Sequence, residues 1–315
     1  MKPLVVITGP TAVGKTELSI KIAKAIDGEI ISADSIQVYK HMDIGSAKIT
    51  KEEMQGIKHY LVDEFEPDEE FNVHVFKEKT LEYMDKIYEA GKIPIIVGGT
   101  GFYIQSVLYD IQFNDEEIDS AYRKELENIA KEKGNDYLHN MLKEVDEESA
   151  LNIHKNNLKR VIRALEFYKN TGEKISTHNE EQSQNISPYN FVYFVLNDKR
   201  ELLYERINKR VDIMFDKGLV NEVKNLLNMG YTKDLVSMNG IGYKEVVDYI
   251  NGKYSLDETK EIIKRETRHF AKRQLTWFRR KKDVTMVNYF DYDSIDDTLK
   301  YMINTLREKD IIKND

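Results

Sequence analysis

Hydrophobic positions in the first hundred residues follow two different periods. Largely apolar runs occur at "LVVIT" (4–8), "EIISA" (29–33) and "IPIIVGG" (93–99), with a weaker one at "HYLV" (59–62). Such runs are the form taken by strands covered on both faces. Between residues 62 and 93 the period changes: Phe76, Thr80, Tyr83, Met84 and Ile87 recur at i, i+4, i+7, i+8 and i+11, one stripe of a helix that Gly91 can end. Strands alternating with helices predict a parallel sheet with crossover helices, a doubly wound α/β core.

From Asn114 to Asn190 the texture shifts to Glu, Lys and Asn with helical periodicity and no convincing strand. This predicts a helical insertion over 114–190, which leaves 1–113 and 191–315 as the core. "YNFVYFVLN" (189–197) restores a strand, helical patterns fill most of 199–280, and "VTMVNYF" (284–290) predicts a last strand before a terminal helix. No internal repeat interrupts this order.

Composition adds exclusions. A chain of 315 residues with 41% hydrophobic content can bury a large core. No apolar run approaches the roughly 20 residues a membrane helix needs, and the N-terminus enters a strand without a signal-peptide pattern, so a cytoplasmic protein is expected. Without cysteine there is no disulfide, thiol nucleophile or Cys-based zinc site, and the seven histidines form no H-x-x-x-H pattern. The net charge of −8 argues against a generally basic nucleic-acid coat, yet "KRETRHFAKRQLTWFRRKK" (264–282) carries nine Lys/Arg against one Glu. A segregated basic stripe on an acidic chain can direct a polyanion to one face, or be no more than a solvated helix face. Trp277 and Phe278 within it fit core packing at helical spacing.

The strongest chemical signal is "GPTAVGKT": Gly9, Pro10, Thr11, Ala12, Val13, Gly14, Lys15 and Thr16, set between a strand and a helix. This is the P-loop pattern G-x-x-x-x-G-K-[ST]. Its backbone N–H groups curl around phosphate oxygens, Lys15 reaches between phosphates, and the Thr16 hydroxyl can ligate Mg²⁺. Phosphate-hydrolysing relatives of this architecture carry a second apolar strand ending in a metal-organising Asp; here "IPIIVGG" ends in glycines. "EIISAD" does end in an acid, Asp34, whose place at the carboxyl end of a strand beside the loop suits a residue facing an acceptor substrate. General base, metal ligand and helix cap all remain open for it. In "GGTGFY" (98–103), three glycines in four residues suggest close approach by a ligand, with Thr100 among them.

Taken together, "GPTAVGKT", "ISADSIQVYKHMDIGSAK", "PIIVGGTGFY", "RVDIMFDKGLVNEV", "GIGYKEV" and "TRHFAKRQLTWFR" closely resemble the tRNA dimethylallyltransferases, also called tRNA isopentenyltransferases, over nearly the whole chain. The resemblance implies a P-loop NTPase-like core with a helical insertion. It implies transfer of a dimethylallyl group from dimethylallyl diphosphate to N6 of the adenosine 3′ to a tRNA anticodon, with the loop holding an isoprenoid diphosphate and ATP not required. Asp34 would be the general base; Lys15, Thr16, Arg210 and Mg²⁺ would meet the leaving diphosphate, and Thr100 would lie at the substrate junction. The partner would be a tRNA anticodon stem-loop, its target base flipped out. That loop would be held by Asp34, Ser35, Ile36 and Gln37, by Thr100, by Arg123, by Lys159, Arg160, Val161, Ile162 and Arg163, and by the basic helix from Lys264, including Lys272 and Arg273. A monomer is expected.

Two departures stand out. Where the family has His-Pro-Asn-Asp before the insertion's Lys-Arg, this chain reads "HKNN", with Lys155 for Pro and Asn157 for Asp, and the absence of cysteine leaves no zinc finger of the eukaryotic kind. The alternatives are an adenylate isopentenyltransferase, which would need neither insertion nor basic helix, a small-molecule P-loop kinase, and a noncatalytic RNA-binding module.

Overall fold

The computed structural model describes residues 1–113 and 120–313. They divide into two compact units: Met1–Leu108 with Pro188–Asp315, and Tyr109–Ser187.

The first unit is an α/β domain around one six-stranded parallel sheet: β1 (Lys2–Thr8), β2 (Gly28–Ala33), β3 (His59–Tyr60), β4 (Ile93–Gly98), β5 (Tyr189–Asn197) and β6 (Thr285–Asn288), in the order β3-β2-β4-β1-β5-β6. The connecting helices are α1 (Lys15–Ile26), the short α2 (Lys51–Met54), α3 (Val73–Glu89) and α4 (Gly101–Leu108). All of β2 and five of the seven residues of β1 are buried, the consequence of helices on both faces. Ile30 and Ile95 join the cluster under α1. Their neighbours Ile31 and Ile96 turn to the other face, as the pleat requires, and α3 packs on β2 and β4 with its Phe76, Met84 and Ile87 buried. The registers bring Thr8, Gly98 and Ala33 level across three adjacent strands. The loops that follow β1, β2 and β4 therefore emerge together at one carboxyl edge, where ligands of open α/β sheets bind.

The second unit is helical among its described residues: α5 (Ser120–Lys133), α6 (Asn135–Val145), α7 (Glu147–Asn152), α8 (Leu158–Thr171) and α9 (Ile175–Ser183). Leu126, Leu138, Leu142, Val161, Ile162 and Leu165 form its core. The expected start at Asn114 lies outside the described residues. At the other end the unit stops before the expected Asn190, because β5 already pairs with β1 from Tyr189. The chain returns to the first unit with α10 (Arg200–Asp216), α11 (Leu219–Asn228), α12 (Tyr243–Ile250), the long α13 (Leu256–Phe278) and α14 (Ile295–Glu308). Among the described residues no helix is long and apolar enough to cross a membrane.

Candidate active site

The loop from Gly9 to Thr16 turns directly from β1 into α1. Gly14 is the N-terminal cap residue of α1 at φ 102°, a left-handed conformation that glycine adopts without a Cβ penalty. Ala12 and Val13 bury their side chains in the core, so only their backbone can serve a ligand. The first amides of α1 have no acceptor within their own helix, which makes its N-terminus a ready anion site. The Lys15 ammonium donates to the carbonyls of Gly9 and Pro10, both at 3.0 Å. Removal from water and the nearby Arg210 guanidinium draw its pKa down to about 8, against a smaller upward pull from Asp34. Burial likewise lowers the pKa of Arg210, with Glu53 and Asp34 opposing. Lys15, Arg210 and Asp34 thus form one coupled set of charges.

Asp34 sits where β2 ends. Its Oδ1 accepts from the amides of Ile36 (2.9 Å) and Gln37 (3.2 Å), so it does cap the following turn. Both bonds use one oxygen, and the other is left for a ligand. Asp34 lines two cavities. One, about 60 Å³, is also lined by Lys15, Thr16, Ser19, Ser32, Gln37 and His59. The other, about 480 Å³, is also lined by Thr11, Ser35, Ile36, Thr100, Arg210 and Arg273. Gln37 commits its amide N–H groups to the carbonyls of Ser46 and Ala47, which stabilises its own loop.

The glycines after β4 have a different cause from the one expected. A Cβ on Gly98 would strike the Ala33 carbonyl, one on Gly99 the Gln274 amide, and one on Gly101 the Trp277 indole. The close approach they permit is by the protein itself. The turn is held from two sides, Thr100 N donating to Ala33 O (3.2 Å) and Gln274 Nε2 to Gly99 O (3.0 Å), and Thr100 is presented to the larger cavity.

The sequence reading missed two residues that organise this edge. Glu222, on α11, accepts from three successive amides of the loop after β2, those of Asp43 (3.0 Å), Ile44 (2.7 Å) and Gly45 (3.0 Å), and from the Tyr243 hydroxyl (2.9 Å). Gln274 is the second. Both stand inside motifs quoted for the family resemblance, but no local spacing marks an acid or an amide on a helix as a clamp for a distant loop.

The remaining expected contact residues fall into exposed and buried sets. On α13, Lys272 and Arg273 are exposed and line a shallow basic depression with His269, Trp277 and Arg280. Lys264 does not belong to that surface: it is largely buried and paired with Asp212 (2.9 Å) and Glu261 (3.2 Å). In the helical unit Lys159, Arg160 and Arg163 are exposed, whereas Val161 and Ile162 are core residues whose side chains cannot face a partner. Arg123 gives Nε and Nη2 to the buried Glu166 at 2.8 and 2.7 Å. Lys155 pairs with Asp136 at 2.6 Å, and Asn157 begins α8 without a side-chain cap bond.

A family model described as IPP transferase matches residues 37–281. The chain belongs to the IPP transferase family. It is 60% identical to a tRNA dimethylallyltransferase of Lachnoclostridium phytofermentans over 99% of this chain and 100% of the relative, and 54% identical to one of Acetivibrio thermocellus over 97% and 98%. These alignments extend the family likeness to the phosphate loop and Asp34, which lie ahead of the matched model. Among solved structures it is similar to a tRNA isopentenylpyrophosphate transferase of Bacillus halodurans (TM-score 0.74, 43% identity, 98% of both chains). It is also similar to a eukaryotic dimethylallyltransferase acting on tRNA (TM-score 0.83, 30% identity, 98% of this chain and 80% of that one).

Proposed function

We propose that this member of the family transfers the dimethylallyl group of dimethylallyl diphosphate to N6 of the adenosine 3′ to a tRNA anticodon. One observation carries the reading: Asp34 belongs at once to the cavity beside the phosphate loop and to the larger cavity lined by Thr100 and Arg210. A carboxylate so situated meets both partners of a transfer. The adenine amine is a poor nucleophile because its lone pair is delocalised into the ring, so a base that accepts its proton as the bond forms lowers the barrier. The new bond joins N6 to the allylic carbon, the bond between that carbon and the diphosphate oxygen breaks, and the N6 proton passes to Asp34. The amides at the start of α1, Lys15 and Arg210 meet the charge that develops on the departing diphosphate. Phe71, Tyr103, Met214 and Ile263 give the larger cavity an apolar wall suited to a short isoprenoid.

Magnesium fits these residues on donor chemistry. Among the described residues no three of His, Cys, Asp or Glu converge on a point, whereas Thr16 is exposed and lines one cavity with Ser19, Ser32 and Asp34. A cation that prefers substrate phosphates, water and one or two protein oxygens suits that set. Thr16 would hold it, and once bound it neutralises diphosphate charge. ATP takes no part in the chemistry. The same reading has the protein act in the cytoplasm as a monomer.

The transfer is tested with purified protein, Mg²⁺ and radiolabelled dimethylallyl diphosphate, offered unmodified tRNA or AMP without ATP. Label entering tRNA alone is the expected result. Label entering AMP, or entering neither, contradicts the reading.

A further inference from the structure

The side chain of Gln274 joins two loops that lie far from it in sequence. It projects from the last turns of α13 and is buried at 7% exposure. Its Oε1 accepts from Thr11 N at 2.9 Å and its Nε2 donates to Gly99 O at 3.0 Å. Thr11 belongs to the phosphate loop, and Gly99 precedes Thr100 in the turn after β4. The two bonds need an acceptor at one end of the side chain and a donor at the other, and a primary amide supplies both. Gly99 has no room for a side chain because the Gln274 amide occupies that space.

We propose that Gln274 is a positioning residue that fixes the separation between the phosphate loop and the Gly98–Gly101 turn. This rests on the transfer reaction proposed above. The leaving diphosphate is held by the first loop, while the acceptor lies beside the second, with Thr100. A reaction between them depends on their register, and a misplacement of about 1 Å can cost about a hundredfold in rate. Thr11 gives its N–H to Gln274, leaving the phosphate to the amides that follow in the loop. Lys272 and Arg273 precede Gln274 on the same helix, so the segment that presents cations at the surface also ties the two loops together.

Gln274→Met keeps length and apolar bulk but makes neither hydrogen bond. Gln274→Glu keeps the acceptor for Thr11 and sets an oxygen against the Gly99 carbonyl. In steady-state transfer to tRNA at a temperature where the variant remains folded, Gln274→Met is expected to lower kcat about 30-fold or more, with both KM values within about threefold. Gln274→Glu is expected to fall between it and the wild type. A wild-type kcat in Gln274→Met, or a loss that follows KM, overturns the proposal.

A second measurement does not depend on either of those variants folding well. Gly99→Ala is expected to slow kcat by pushing the amide aside, yet to cost less than about twofold when added to Gln274→Ala, where the space is clear. Equal costs in the two backgrounds overturn the proposal. Active wild-type enzyme with unaffected variants defeats this inference alone, whereas wild-type protein that transfers no label to tRNA defeats the reaction and the inference together.

Discussion

The carboxyl edge of the sheet and the helical unit solve opposite problems with buried polar groups. At the edge, polar side chains reach across long sequence separations to hold loops. Gln274 bonds residues 11 and 99, and Glu222 bonds residues 43 to 45. In the helical unit the buried acids are satisfied by their own small domain. Asp146 accepts from the amides of Ser149 and Ser176 and from the Ser176 hydroxyl; burial pushes its pKa up, but these bonds hold it below the usual carboxylate range. Glu166 is held by Arg123. The comparison separates two needs. The proposed transfer between two substrates needs loops fixed relative to one another, whereas the helical unit is a self-contained scaffold with Lys159, Arg160 and Arg163 left outside.

Breaking the edge should give the largest effects. Lys15→Ala removes the cation proposed to meet the diphosphate and is expected to lower kcat/KM about a thousandfold, measured by transfer to tRNA at saturating Mg²⁺. The pKa of Lys15 sharpens the point. Because it is depressed to about 8, the ammonium is charged at neutral pH and loses its proton as pH rises through 8 in the free enzyme. On the wild type, kcat/KM should therefore fall toward tenfold per pH unit above about 8, and a flat profile to pH 10 would contradict that role.

Glu222→Ala leaves three loop amides without their acceptor and is expected to lower unfolding free energy by about 3 kcal/mol, read from denaturant midpoints. A change under 1 kcal/mol would mean water replaces the carboxylate at no cost. In the helical unit, Arg123→Ala strands the buried Glu166 carboxylate; because Arg123 itself is partly exposed, about 2 kcal/mol is expected. If that variant keeps full stability but loses tRNA affinity, Arg123 serves the partner and not the scaffold. Smallest of all, replacing Lys159, Arg160 or Arg163 singly should weaken tRNA binding a few-fold and reduce the salt slope by about one, without changing kcat. The pair Lys272→Ala with Arg273→Ala should act in the same way on binding. An unchanged slope removes the replaced residues from the interface.

Legibility in the sequence follows the same division. Strands β1, β2 and β4 were readable because burial on both faces leaves largely apolar runs, and the phosphate loop because its glycines and Lys15 stand at fixed spacing. The strand order was not, since nothing in "LVVIT" or "IPIIVGG" names its neighbour. Glycine in "GGTG" reports that something comes close but not what; here it is Ala33, Gln274 and Trp277. The basic run was visible as charge, yet only folding shows that Lys264 is neutralised by Asp212 and Glu261 while Lys272 and Arg273 remain outside. Asp34 was legible as a cap or a base; the cap is seen in its bonds to Ile36 and Gln37, and the base is the role proposed for it. Glu222 and Gln274 were illegible as clamps because their partners are set by tertiary topology alone.

That double use of Asp34 gives the most direct test. Asp34→Asn retains a side-chain oxygen that can accept from Ile36 and Gln37, so the turn survives while the proposed base is lost. Single-turnover transfer should then be measured with enzyme in excess over tRNA and saturating dimethylallyl diphosphate, alongside the tRNA Kd. The account expects a rate at least about a thousandfold below wild type, with the Kd within about threefold. A rate near wild type, or a loss of affinity as large as the loss of rate, would contradict a base at the junction of the two cavities.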